Sequence, residues 1–125
     1  MSSQQSSRFI VIVDDDRSVQ IALQDLIESE GLSTLCFGSA EQFLDSGAQN
    51  KAACLIADIR MPGMSGLELQ TKLKVERCRI PIIFITAHGD AKMRSQAMRD
   101  GAMKFLAKPF DNTVLLEAVR AALEN

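Results

Sequence analysis

The chain has 125 residues and a formal net charge of −2, with 46% hydrophobic and 24% charged residues. This composition indicates a single globular domain rather than a disordered chain. Without a basic excess to hold a phosphate backbone, and without an apolar run near the ~20 residues of a membrane span, it predicts neither direct nucleic-acid binding nor membrane insertion. Cys36, Cys54 and Cys78 have no metal-like spacing, which predicts reduced thiols in a cytoplasmic protein.

Residues 1–7 are polar and rich in Ser and Gln, so we expect a flexible tail before a domain that spans residues 8–125. Short apolar runs then alternate with amphipathic stretches, which predicts five strands and five helices. The expected strands cover residues 9–13, 32–37, 54–57, 82–85 and 102–106. This alternation predicts an α/β fold, a doubly wound parallel sheet in the order 2-1-3-4-5 with helices on both faces.

The helix boundaries are predicted from capping residues. Ser39 with Gln42, and Ser65 with Glu68, have the spacing of a capping box. The remaining helix starts and ends are expected at Asp16, at Asp111 or Asn112, and at Gly31, Gly47 and Gly101.

The third predicted strand ends in a carboxylate, Asp58, and a turn marked by Pro62, Gly63 and Gly66 follows directly. A charge where a buried strand stops is costly unless something uses it. Ligands of open α/β sheets bind at the carboxyl ends of the strands, so Asp58 is a candidate functional residue. The alternative is a carboxylate that only caps or solvates the loop.

Four of the predicted strands carry polar residues at the same end: Asp14 and Asp15, Asp58, Thr86, and Lys108. Because these ends share one edge of a parallel sheet, the three carboxylates are expected to meet and repel one another. Protonation or a divalent cation would relieve the repulsion, and an all-oxygen donor set favours Mg²⁺. Cation, lysine and hydroxyl together suit a transferring phosphoryl group.

Asp58 is then a candidate in-line nucleophile, because a carboxylate can accept phosphate as an acyl phosphate. No GxGxxG follows the first strand and no GxxxxGK[ST] occurs, so the sequence does not predict a dinucleotide fold or a P-loop.

These features resemble the receiver domain of a two-component response regulator over residues 8–124. The resemblance rests on four motifs that lie in order at predicted strand ends: Val13-Asp14-Asp15, Asp58 with Met61-Pro62-Gly63 and Gly66, Ile85-Thr86-Ala87, and Lys108-Pro109-Phe110. The Thr86-to-Asp90 run, together with the Lys108 motif, is similar to receivers that precede a LuxR-type helix-turn-helix domain.

The resemblance implies a flavodoxin-like fold and a role for each matching residue. Asp58 would be the phosphoacceptor; Asp15 and Asp58 would bind Mg²⁺ directly and Asp14 through water. The remaining implied roles are a carbonyl ligand from Arg60, phosphoryl binding by Thr86 and Lys108, a cis peptide at Lys108-Pro109, and a switch aromatic at Phe105. The acid pair could instead fall on Asp15 and Asp16; we prefer the first pair because it directly follows the strand.

Two further features have competing interpretations. His88 is either a surface loop residue or a group that tunes acyl-phosphate hydrolysis, a role the family also places near Arg60. Met93, Met98 and Met103 are either core residues or part of an interface, because the helix that carries Met93 and Met98 has a thin apolar face and soft Met side chains suit an interface. We expect the helix of residues 90–101 and the fifth strand to form a phosphorylation-dependent homodimer surface.

The expected function is a signalling switch and not an enzyme acting on external substrates. A sensor histidine kinase phosphorylates Asp58 with Mg²⁺ as cofactor, the domain catalyses its own phosphorylation and dephosphorylation, and a DNA-binding output domain outside this chain responds. The alternative is a phosphohydrolase like the haloacid dehalogenases, which would use Asp14 of the Asp14-Asp15-Asp16 run. A third possibility is a degenerate receiver that only binds partners.

Overall fold

The computed structural model describes residues 8–87 and 91–124, and its centre is a five-stranded parallel sheet in the order β2-β1-β3-β4-β5. The elements in chain order are β1 (Phe9–Val13), α1 (Arg17–Glu28), β2 (Ser33–Phe37), α2 (Ala40–Ser46), a 3₁₀ turn (Ala48–Asn50), β3 (Cys54–Ala57), α3 (Gly66–Val75), β4 (Ile82–Thr86), α4 (Ala91–Arg99), β5 (Lys104–Ala107) and α5 (Asn112–Leu123). The fold class and strand order predicted from the sequence are confirmed. Within the described ranges, no helix has the length and apolar character to cross a membrane.

The central strands are buried on both faces, and their alternating side chains enter two different cores. Val11 and Leu55 point into a core covered by α2, α3 and α4. Ile10 and Ile56 point into the opposite core, which α1 and α5 cover. Each fully buried aliphatic side chain of this kind contributes about 1.5–3 kcal/mol to folding. Strands apolar on both faces belong in the interior of a parallel sheet, which fixes β1 and β3 at its centre.

Three strand predictions are wrong at their boundaries. The fifth strand begins at Lys104 and not at Ala102, because the Ala102 N–H still bonds to the carbonyl of Ala97 at 3.0 Å and so completes the end of α4. The second strand begins one residue later than expected, at Ser33. The fourth extends to Thr86, which pairs with Ala107 of β5. The Thr86 side chain therefore leaves from a strand and not from a loop.

The predicted helix caps are present with two differences, the first being that α1 ends at Glu28 with Ser29, and not Gly31, as its C-cap. Ser65 and Glu68 form the reciprocal capping box at the start of α3. At α2, the Ser39 hydroxyl accepts from the Gln42 N–H, but the side-chain Oε1 of Gln42 accepts from the N–H of Gly38 at 3.3 Å. Only half of the second box therefore forms, because the Gln42 side chain bonds one residue further back. The first and last helices are capped as expected by Asp16 and Asp111.

Candidate metal and phosphoryl site

In the turn between β3 and α3, the backbone of Asp58 lies against Gly66, the first residue of the helix. The Asp58 N–H continues the ladder to Val13 O at 3.0 Å, and the Gly66 N–H bonds to Ile59 O at 2.8 Å. A Cβ on Gly66 would overlap the carbonyl oxygen of Asp58 and lie 2.9 Å from the Cα of Ile59. Only glycine permits this close approach of two backbone segments. The glycine therefore sets how tightly α3 closes behind the acidic residue.

The end of β1 supplies two carboxylates in different surroundings. Asp14 is 2% exposed, and its Oδ1 accepts from the Asp16 N–H at 2.9 Å. Its own N–H bonds to Phe37 O of β2 at 3.1 Å, which extends the sheet past the last paired residue. Asp15 is exposed. One acid is thus held inside the fold while the next faces solvent.

Lys108 joins the two buried carboxylates. Its Nζ lies 3.0 Å from Asp14 Oδ2 and 3.2 Å from Asp58 Oδ2. Its backbone N–H donates to Thr86 O at 3.0 Å, and the peptide bond to Pro109 is cis, as the resemblance implies. Charge-assisted hydrogen bonds of this kind are roughly twice as strong as neutral ones. The strands β1, β3 and β5 are therefore connected through one ammonium group.

The surroundings shift the pKa of both partners upwards. Burial away from water raises the pKa of Asp14, although the hydrogen bonds from the Asp16 N–H and from Lys108 act in the opposite direction. For Lys108 burial acts to lower the pKa, but the carboxylates of Asp14 and Asp58 outweigh it and the pKa is raised. The lysine therefore stays charged, while Asp14 is harder to ionise than an exposed aspartate.

The three carboxylates fit a hard divalent cation. Asp14, Asp15 and Asp58 each offer one oxygen, and these atoms all lie within 4.8 Å of one another. One ammonium group against three carboxylates leaves an excess of negative charge, which a divalent ion would balance. Because the donors are oxygens only, and Asp15 opens the group to solvent, the site suits Mg²⁺ with part of its water shell retained.

The remaining predicted residues surround this group. Thr86 is buried at the end of β4, next in the sheet to β3. The Arg60 N–H lies 3.3 Å from Asp58 Oδ1, while its guanidinium is 4.0 Å from the sulfur of Met93. Phe105 is 8% exposed, and its ring centre is 6.4 Å from that of Phe84. His88 lies outside the described residues.

Two residues near the site are absent from the sequence-based prediction. Gln20 is buried against the ends of β1 and β2, and its place on the apolar face of α1, in phase with Leu23 and Ile27, is a signal that could have identified it. Glu41 of α2 accepts from the Met64 N–H at 2.9 Å and so holds the loop after Asp58. No local pattern in the sequence predicts that contact, because the partners lie in separate elements.

Comparison with known proteins gives a consistent result. Residues 10–120 match the sequence family described as "Response regulator receiver domain". The response regulator protein TodT of Pseudomonas putida is 50% identical over 115 residues, which are 92% of this chain and 51% of TodT. Nodulation protein W of Bradyrhizobium diazoefficiens is 47% identical over 115 residues, covering 92% of this chain and 51% of that protein. The chain spans about half the length of these relatives.

Solved structures agree with the sequence relatives. The response regulator StyR superposes with a TM-score of 0.86 at 44% identity, covering 94% of this chain and 59% of StyR. The structure titled FixJ-N superposes with a TM-score of 0.84 at 39% identity and covers 94% of both chains.

Proposed function

Because this chain belongs to the response regulator receiver family, we propose that it receives a phosphoryl group on Asp58 from the phosphohistidine of a sensor kinase. The observation that carries this proposal is the Lys108 ammonium, which lies within 3.2 Å of both buried carboxylates in a group able to hold a cation. A small phosphodonor would serve in place of the kinase. Residues 8–125 form the receiver domain in this proposal, and residues 1–7 precede it.

Each residue of the site has a defined part in the transfer. An oxygen of Asp58 forms the new O–P bond as the N–P bond of the donor breaks. Lys108 binds an oxygen of the phosphoryl group and offsets its charge, and the Thr86 hydroxyl donates to another. Asp15, Asp58 and the carbonyl of Arg60 would hold Mg²⁺, and Asp14 would hold it through water. When bound, the ion would neutralise charge on the transferring group.

The phosphorylated state is the signalling state. A phosphate adds about −1.5 to −2 charges at neutral pH. We propose that it draws Thr86 inward, that Phe105 changes rotamer, and that the surface of α4 and β5 is remodelled into a homodimer contact. Hydrolysis, catalysed by the same site and tuned by Arg60 and His88, resets the switch. The two states must lie within a few kcal/mol for one phosphate to shift the population.

The output is proposed from the relatives. FixJ of Azorhizobium caulinodans, 43% identical over 112 residues, is named a transcriptional regulatory protein. A DNA-binding domain of the LuxR type in the remainder of the full protein would make the receiver a regulator of transcription. A cytoplasmic location agrees with the three free thiols, of which Cys54 is so buried that its pKa rises to about 12.

Acetyl phosphate with Mg²⁺, read by intact mass and by mapping of the modified residue, tests the proposal. Wild type is expected to gain one phosphoryl group on Asp58, and Asp58→Asn is expected to gain none. Phosphate on Asp14 would instead identify a phosphohydrolase. A wild-type protein that stays unmodified with Mg²⁺ and a competent donor would indicate a degenerate receiver and overturn the proposal.

A further inference from the structure

The side chain of Gln20 spans the ends of two strands beside the acidic group. It is 6% exposed, and its Nε2 lies 2.6 Å from the carbonyl oxygen of Asp14 and 3.3 Å from that of Phe37. Its Oε1 accepts from Arg17 Nη1 at 2.8 Å. Since a guanidinium only donates and the two carbonyls only accept, these partners fix which end of the amide faces which way. The Gln20 amide therefore has one orientation.

The carbonyl that Gln20 holds belongs to the peptide unit between Asp14 and Asp15. A peptide unit is planar, so a fixed Asp14 carbonyl fixes the N–H of Asp15 and the direction in which its Cα continues the chain. Asp14 and Asp58 have other restraints, because Lys108 bonds to both carboxylates. The Asp15 carboxylate has no hydrogen bond or ion pair within the described part of the chain, and its direction depends on the backbone.

We infer that Gln20 is a positioning residue for the cation: it orients the Asp14–Asp15 peptide so that the Asp15 carboxylate faces the other two acids. This inference rests on the proposed function, because it concerns the ion that the three carboxylates would hold. Outer partners that orient metal ligands typically change affinity 10–100-fold when removed. Arg17 supports this orientation. Its Nη1 donates to Gln20 Oε1 and so keeps that oxygen turned away from the strand ends.

A purely structural role for Gln20 makes a different prediction, and the chain offers a matched control. Gln70 of α3 is 3% exposed, and its Nε2 donates to the carbonyl of Ala97 of α4 at 2.9 Å. Both glutamines therefore tie a helix to a neighbouring element through one buried amide. Only Gln20 bonds to the backbone of a proposed metal ligand, so only its loss should affect the cation.

The test compares Gln20→Met with Gln70→Met, since methionine keeps the side-chain length and removes the donor. Urea unfolding followed by circular dichroism measures stability, and Mg²⁺ titration followed by backbone amide chemical shifts measures affinity. We expect Gln70→Met to lose less stability than Gln20→Met, because the Oε1 of Gln70 is buried without a partner and its amide makes one bond where that of Gln20 makes three. Only Gln20→Met should raise the Mg²⁺ Kd, by about tenfold. An unchanged Kd in Gln20→Met, with wild type binding normally, overturns this inference and leaves the proposed function intact.

A second variant keeps the test decisive if Gln20→Met does not fold. Arg17→Ala removes an exposed side chain and releases the Gln20 amide. Loss of a positive charge would by itself favour the binding of a cation such as Mg²⁺. Weaker binding in this variant therefore supports positioning, and equal or tighter binding contradicts it. A wild-type chain that binds no Mg²⁺ under the same conditions overturns both the inference and the proposed function.

Discussion

The centre of the sheet and its β5 edge are packed very differently. All four residues of β3 and the last four of β1 are at most 1% exposed. In β5 only Phe105 is buried, and in α4 only Ala97 is. Closely packed interiors resist small displacements, whereas thinly packed elements open at low free-energy cost. The carboxylates therefore follow the rigid strands, and the surface proposed to respond lies on the loose edge.

Lys108 is the link between these two regions. It follows β5 at the edge of the sheet, yet its ammonium lies among carboxylates that follow β1 and β3. A new phosphoryl group on Asp58 would replace one of these carboxylates and compete with Asp14 for the ammonium. The response should then be carried by β5 and α4, where little packing opposes a shift.

Gly66→Ala should give the largest effect, because its Cβ would overlap backbone atoms of Asp58 and Ile59. Neither segment is the end of a flexible side chain, so the corner between β3 and α3 must shift. We expect a loss of about 4 kcal/mol or more in the free energy of unfolding, a large part of the stability of a small domain. Urea unfolding followed by circular dichroism measures it, since the chain has no Trp or Tyr.

Gly31→Ala is the matched control for that substitution. Gly31 has a φ of +83°, but a Cβ there meets nothing within 4 Å. The cost is then only the left-handed conformation, about 1–2 kcal/mol. Equal losses in the two variants would show that the close approach behind Asp58 is not what makes glycine necessary.

Two phenylalanines in contact allow the centre and the edge to be compared directly. Phe84 of β4 is fully buried, and its neighbour Phe105 of β5 is 8% exposed. Phe84→Ala should cost about 4 kcal/mol in unfolding free energy and Phe105→Ala about 2 kcal/mol, because the edge can collapse around the smaller side chain. A larger loss at Phe105 would contradict the description of β5 as loosely packed.

Asp14→Asn should stabilise the protein in the absence of Mg²⁺. Burial raises the pKa of Asp14, so its ionised form is disfavoured in the folded state, and a neutral amide of similar shape removes that penalty. The same change should weaken Mg²⁺ binding. Thermal unfolding with and without Mg²⁺ measures both effects, and a variant that is less stable without Mg²⁺ would show that the bond to Lys108 outweighs burial.

The pH dependence of Mg²⁺ binding follows from the same shift. The pKa of Asp14 lies above its ordinary value of 3.8, so the folded protein takes up this proton before the unfolded chain does as the pH falls. Asp14 itself therefore adds stability on acidification, while the cation loses an ionised carboxylate. We expect the Mg²⁺ Kd to rise as the pH falls towards the acid range, and to rise less in Asp14→Asn. Equal slopes would assign the effect to other groups.

How much the sequence could predict depends on how local each signal is. The strand order follows from the alternation of strands and helices, and the α1 and α5 caps follow from local capping residues. The meeting of Asp58 with Lys108 follows from strand ends that share one edge of a parallel sheet. The first residue of β5 could not be predicted in this way. Ala102 would be apolar either in the strand or at the end of α4, and only its hydrogen bond to the Ala97 carbonyl shows that it belongs to the end of the helix. The role of Glu41 could not be predicted from the sequence either, because its partner Met64 lies in a separate segment of the chain.

Met98→Ala should give the smallest effect on folding and the clearest one on association. Met98 lies on α4 and is 42% exposed, so its loss should change the unfolding free energy by less than about 0.5 kcal/mol. If α4 and β5 form the phosphorylation-dependent contact, removing a flexible apolar side chain there should weaken dimerisation of the phosphorylated protein. Sedimentation with and without a phosphate mimic measures this. Val75→Ala at the end of α3, 74% exposed, is the control. If both variants weaken dimerisation equally, the result would argue against an α4 interface. Loss of any exposed apolar side chain would then weaken dimerisation to the same extent.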